Sequence, residues 1–185
     1  MSTLKRIVLT FIILFFPVQV FATGHQITQW ADNRAGAVSI TFDDGLSSQY
    51  SLAIPALNEK GFKGSFFIIT DITTNTRSNG YASWEQWRDA ANQGHEIGSH
   101  TLSHPHLPQL SLPEMEEEIG ESKTIIDDQI TTQECLTFVY PFGDYNSNAK
   151  AYTKKYYIAA RGVWCGFNKA PYDFYALRGC GDSDS

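Results

Sequence analysis

Short apolar stretches of strand character alternate with helical patterns from Ala37 to Ile158. That alternation confines the chain to an α/β fold with a parallel sheet and right-handed crossovers. Val38, Ile40 and Phe42 alternate before an Asp43-Asp44-Gly45 turn, and a helix containing Leu52 and Leu57 follows, closed by Gly61. Phe66 to Ile69 is a continuous apolar run of the kind buried on both faces of a parallel sheet. Asp71 to Ser83, rich in Thr, Asn, Ser and Gly, reads as a surface loop. A helix with Trp84, Trp87 and Ala91 ends at Gly94, and a short strand, Glu96 to Ser99, leads to His100. Ser111-Leu112-Pro113-Glu114 is a capping box opening a long helix through Met115, Ile119, Ile125 and Ile126. A strand at Leu136 to Tyr140, a helix from Ser147 to Tyr156 and a strand near Ile158 complete about five β/α units.

This pattern closes either as an open sheet or as a (β/α) barrel, in which catalytic groups collect where strands end. Asp43, Asp44, His100 and Pro141 all follow strand candidates. Complete barrels take ~200 residues or more, so the expected fold is a distorted (β/α) barrel, incomplete at its C-terminus.

Lys5 and Arg6 precede an apolar run from Ile7 to Val20 and the small-residue pattern Val20-Phe21-Ala22. The run is shorter than the ~20 residues of a membrane span. Residues 1–22 therefore read as an export signal, 23–34 as a lead-in and 35–185 as the domain. The protein is expected outside the cytoplasm, periplasmic or secreted, with no stable membrane span after cleavage. The chain is acidic, with 20 Asp and Glu against 14 Lys and Arg, and it loses two of the latter with the leader. Without a basic cluster it is a poor partner for nucleic acid or anionic membrane. None of Cys135, Cys165 and Cys180 has CxxC spacing, so a structural zinc site is not expected. Cys165 and Cys180 form the preferred disulfide in an exported chain.

The chemistry concentrates in two places. Thr41-Phe42-Asp43-Asp44-Gly45 ends a buried-looking strand in two carboxylates, whose side chains point in different directions. His100 and His104 stand four apart in His100-Thr101-Leu102-Ser103-His104-Pro105, a spacing that lets both rings reach one ion at ~2.0–2.1 Å. Alone, the first motif is a turn or helix cap and the second a pair of hydrogen-bonded histidines. Together they supply a carboxylate and two imidazoles for a divalent metal, with a second carboxylate left as base. His95 reads as structural and His106 as a pocket-wall or supporting residue. Trp84, Trp164, Tyr81 and Tyr145 are candidates to stack on sugar rings, whereas Trp87 is expected in the core.

This motif series, with Tyr140-Pro141-Phe142-Gly143 as its third member, resembles that of the NodB-homology polysaccharide deacetylases, carbohydrate esterase family four. The resemblance runs from about Ala35 to the end of the chain. It implies that Asp43 is the catalytic base and that Asp44, His100 and His104 hold a divalent metal, by preference Zn²⁺. It further implies that Tyr140, Pro141 and Phe142 line the groove, with the Phe142 backbone N–H binding the oxyanion. The implied reaction is hydrolysis of an N-acetyl, or an O-acetyl, group on a polysaccharide or oligosaccharide, with metal-bound water as nucleophile.

Two positions depart from the family pattern. Val139 stands where many members carry an arginine that orients the catalytic aspartate. No histidine follows His106, although the family places its general acid on a late histidine. Either the chain is a fragment or the acid comes from elsewhere. The alternative reading is a catalytically weak carbohydrate-binding relative that keeps the metal site.

Overall fold

Five parallel strands lie side by side in chain order, and the chain leaves each one at the same end of the sheet. The computed structural model describes residues 37–75, 80–169 and 171–181; the segments read as leader and lead-in lie outside the described residues. The strands are β1 (Thr41–Phe42), β2 (Ser65–Ile68), β3 (Glu96–Ser99), β4 (Thr137–Val139) and β5 (Ala159–Arg161), in sheet order β1-β2-β3-β4-β5. The register aligns Phe42 with Phe66, Phe66 with Ile97, Ser99 with Phe138, and Phe138 with Ala160. This is the expected incomplete (β/α) barrel: a curled parallel sheet with helices packed outside it.

Alternation along the strands separates the two faces. Phe66, Ile68, Ile97, Phe138 and Ala160 are buried in the core with the helices. Thr41, Ser65, Phe67, Glu96, Thr137 and Arg161 line a cavity of about 190 Å³ on the other face. There Glu96 accepts hydrogen bonds from the Ser65 (2.5 Å) and Thr137 (2.6 Å) hydroxyls, which hold the carboxylate on the inner wall. Gly98 leaves room for the Phe67 ring beside it, since a Cβ there would stand 2.6 Å from ring carbons.

The helices are α1 (Ile54–Glu59), α2 (Thr70–Asn75), α3 (Trp84–Asn92), α4 (Leu112–Gln129) and α5 (Ser147–Tyr156). None of the described helices is long and apolar enough to cross a membrane. Ser83 caps α3 and Ser111 caps α4, each in a reciprocal capping box. Trp87, Ala90, Met115, Ile119 and Ile126 anchor these two helices in the core.

Two expectations fail locally. The segment read as a loop from Asp71 contains α2, and Leu52, read as part of the first helix, precedes it and is 70% exposed. Leu52 lies in a wide π-type turn, Gln49–Ala53, preceding α1. The extra residue per turn carries the apolar period off the core-facing stripe.

His95 is structural, as expected. It is 2% exposed, its Nδ1 accepts the Gly64 N–H at 3.1 Å, and its Nε2 has no protein partner. Burial pushes its pKa below the ordinary histidine value, with Lys63 adding to the effect. The folded pKa thus lies below the unfolded one. As pH falls through about 6.5, the unfolded chain takes up a proton that the folded chain refuses, and stability drops. Urea unfolding at about pH 8 and about pH 5 should show a smaller acid loss for His95→Gln than for wild type.

Candidate metal and catalytic site

At the end of β1 the backbone turns through Asp44 and Gly45, both with positive φ, and the Asp43 carbonyl accepts the Gln49 side-chain amide. At the end of β3, His100 is 3% exposed and its N–H pairs with Ile68 O at 3.0 Å. Its Nδ1 lies 2.8 Å from the Val139 carbonyl at the end of β4. A carbonyl can only accept, so Nδ1 carries the proton and the Nε2 lone pair faces the site. Ser99, Ser122 and Tyr157 form a buried hydroxyl network under this strand end, and Ser99 Oγ also accepts the Thr101 N–H.

The loop after His100 is tied down at several points. Thr101 Oγ1 accepts the His104 N–H at 2.9 Å, and Glu118 of α4 accepts the Leu102 and Ser103 N–H groups, each at 3.0 Å. His104 Nε2 is thereby brought to 3.1 Å from His100 Nε2. Asp44 Oδ1 stands 3.5 Å from the His100 nitrogen and 3.6 Å from that of His104. Asp44, Thr101, His104 and Phe142 are the non-glycine residues with positive φ among the described residues, and all four belong to this site. Such conformations cost roughly 1–3 kcal/mol each, so the surrounding bonds must hold them.

Hydrogen bonding to His100 holds the Asp44 carboxyl below the usual carboxylate range, against the opposing effect of burial. Burial, with His100 beside it, pushes His104 below the usual histidine value. Both shifts favour the unprotonated forms that bind metal. Each of the three residues offers one ligand atom, and these atoms lie within 4.8 Å of one another. One carboxylate oxygen and two imidazole nitrogens converging in this way, with the His100 ring oriented from behind by a carbonyl, suit a divalent ion with open positions.

Asp43 points elsewhere. Its Oδ1 accepts a charge-assisted hydrogen bond from Arg161 Nη2, which also reaches Thr41 Oγ1 at 3.0 Å. The Arg161 guanidinium lies over the Phe67 ring, 5.3 Å from its centroid. Arg161, at the end of β5, thus contacts the aspartate that the third motif, with Val139, leaves without its usual arginine. The strand-end rule that singles out Asp43 applies equally to Arg161, and a cation there was the available signal. With Asp43 as the expected base and the ion expected at Asp44, Arg161→Gln should retain metal stoichiometry and lower kcat about 10- to 100-fold, because Asp43 loses the partner that fixes its orientation. Acetate release alongside metal analysis checks this.

The third motif forms a tight turn, with Phe142 at φ 58° and Gly143 at φ 72°. Phe142 is 51% exposed and its ring meets that of His104 edge-on at 4.5 Å. Tyr140 does not line a groove: it is fully buried, its hydroxyl donates to Tyr175 O at 3.1 Å, and burial pushes its pKa up. The side chain alternates to the core face of the strand end and supports the turn from beneath. Pro141 is buried as well.

Val163 packs against Gly143, and the Cys165–Cys180 disulfide closes the adjoining loop, pairing the two cysteines as expected. That loop and Asp43 border a cavity of about 450 Å³. Trp164 is exposed to solvent beside the disulfide, whereas Trp87 is in the core.

Residues 30–160 match the model of a family described as polysaccharide deacetylase, which covers well over half of the chain. The chain belongs to the polysaccharide deacetylase family. Among solved structures it is similar to the Streptococcus pyogenes deacetylase PplD in complex with acetate, with a TM-score of 0.74 and 26% identity, covering 80% of this chain and 67% of that one. Among curated proteins it is 33% identical over 139 residues to a gellan lyase of a Bacillus species, covering 75% of this chain and 5% of that one. It is also 31% identical over 112 residues to chitin deacetylase 1 of Cryptococcus neoformans, covering 60% of this chain and 22% of that one. The chain spans less than half the length of the curated relatives it matches. Its place in the deacetylase family agrees with the order of its motifs, and the curled sheet is the fold of those structures.

Proposed function

We propose that this chain is an exported, metal-dependent hydrolase that removes acetyl groups from a polysaccharide or oligosaccharide, with Zn²⁺ as its ion. The observation that carries the reading is the division of labour between neighbours: Asp44 faces His100 and His104, while Asp43 faces Arg161. The export signal read in residues 1–22 and the acidic charge favour an extracytoplasmic, uncharged or cationic glycan. Chitin deacetylase and peptidoglycan-N-acetylglucosamine deacetylase, the names of two relatives, indicate the substrate classes to try first.

Asp44, His100 and His104 would hold the divalent ion, which would supply Lewis acidity to acidify water and polarise the acetyl carbonyl. Asp43 accepts the proton as water attacks that carbonyl, and Arg161 keeps the carboxylate aligned. The Phe142 N–H donates to the oxygen that gains negative charge. The carbon–nitrogen bond then breaks as the proton taken from water passes on to the sugar nitrogen, leaving acetate and a free amine. An O-acetyl ester needs less acid assistance, because an alkoxide leaves more readily than an amide anion.

A panel of N-acetylated chito-oligosaccharides, acetylxylan, acetylated peptides and phosphoesters tests the assignment. Acetate release from the sugars alone supports it, and phosphate or peptide products would redirect it. Oligosaccharide binding without turnover would instead favour a binding relative that retains the metal site.

A further inference from the structure

His106 is not a member of the metal cluster, yet it joins the two loops that build the site. Its ring lies parallel to that of Phe142, with centroids 4.0 Å apart and planes at 15°. Its Nδ1 is 2.8 Å from Asp144 Oδ2, two residues beyond Phe142. A carboxylate only accepts, so His106 donates this bond. The histidine is itself held firmly: the next residue, Leu107, is fully buried, and Gln109 N–H pairs with the His106 carbonyl at 2.9 Å.

Phe142 needs such support. Its left-handed backbone is strained for a residue that carries a side chain, and half of the residue is exposed, so core burial does not fix it. Within the turn, the local bonds are Gly143 N–H to Tyr140 O at 2.9 Å and Asp144 N–H to Pro141 O at 3.0 Å. His106 adds a stacked ring on one side of the turn and a hydrogen bond at its exit.

We propose that His106 is a positioning residue that clamps the Pro141–Asp144 turn to the metal-ligand loop and so aims the Phe142 N–H at the reacting carbonyl. This rests on the reading of that N–H as an oxyanion donor. The clamp works through stacking and one hydrogen bond, with no direct contact to the sugar. It therefore affects the transition state more than substrate binding.

The test uses wild type, His106→Ala and Asp144→Ala, each confirmed folded by thermal melting. Amide hydrogen exchange at Gly143 and Asp144 should rise about tenfold in either variant, because the turn opens locally more often. With a chito-oligosaccharide, kcat should fall about tenfold with KM within about twofold, the signature of a weakened oxyanion donor. Metal stoichiometry should not change, and the double variant should be no worse than the more affected single one. Unchanged exchange at the turn overturns the clamp, as does a raised KM at constant kcat, which would make His106 a substrate contact. If wild type releases no acetate, the proposed deacetylase function fails. The exchange measurement then still decides whether His106 holds the turn.

Discussion

Asp43→Asn loses acetate release by about 10²–10⁴-fold, the range for removing a positioned general base, while metal stoichiometry stays at the wild-type value. Asparagine preserves the shape of the side chain, and its amide oxygen can still accept the bond from Arg161. It cannot take a proton. In the proposed assignment the residue has no structural duty toward the ion, because among the described residues it is Asp44 that faces His100 and His104. Steady-state kinetics and metal analysis on the same preparation separate the two functions. Loss of metal together with activity would mean that Asp43 is a ligand and that the division between the adjacent aspartates is wrong.

His100→Ala has the larger effect on metal. The side chain is almost fully buried, carries its proton on Nδ1 toward Val139 O and points Nε2 at the cluster. Removing an outer partner of a ligand typically costs 10–100-fold in metal affinity, and removing the ligand itself should cost more than ~100-fold. Activity should fall with it and return only in part at high metal concentration. Zinc titration against a competing chelator reads the affinity directly. Asp44→Ala should behave in the same way, since both supply one of three ligand atoms. An affinity unchanged in either variant would place the ion elsewhere.

The residues legible in the sequence were those whose chemistry is local. Asp43 with Asp44, and His100 with His104, lie within single turns at strand ends, so residue type and spacing carry the signal. Glu96 to Ser99 and Ser147 to Tyr156 were bounded correctly because Gly94 and the apolar period mark their ends. The Cys165–Cys180 pair was readable from the shortage of alternatives.

What escaped depends on contacts between distant segments. Thr70–Asn75 is rich in threonine, a poor helix former, and the helix is secured by tertiary bonds: Thr70 and Asp71 N–H groups pair with the Thr101 and Leu102 carbonyls. Arg161 meets Asp43 across the curl of the sheet, 118 positions apart in sequence. The positive φ angles of Thr101 and His104 have no decisive local signature, since β-branched threonine disfavours that conformation and histidine adopts it only in a minority of cases. They exist because Glu118, Ser99 and the Thr101 hydroxyl hold the loop.

The most direct measurement is acetate release from an N-acetylated chito-oligosaccharide by chelator-stripped protein, before and after zinc is added back. Release that stops on stripping and returns with about one equivalent of zinc is the result predicted by an ion held at Asp44, His100 and His104. Acetate release that continues undiminished in the stripped protein would contradict it.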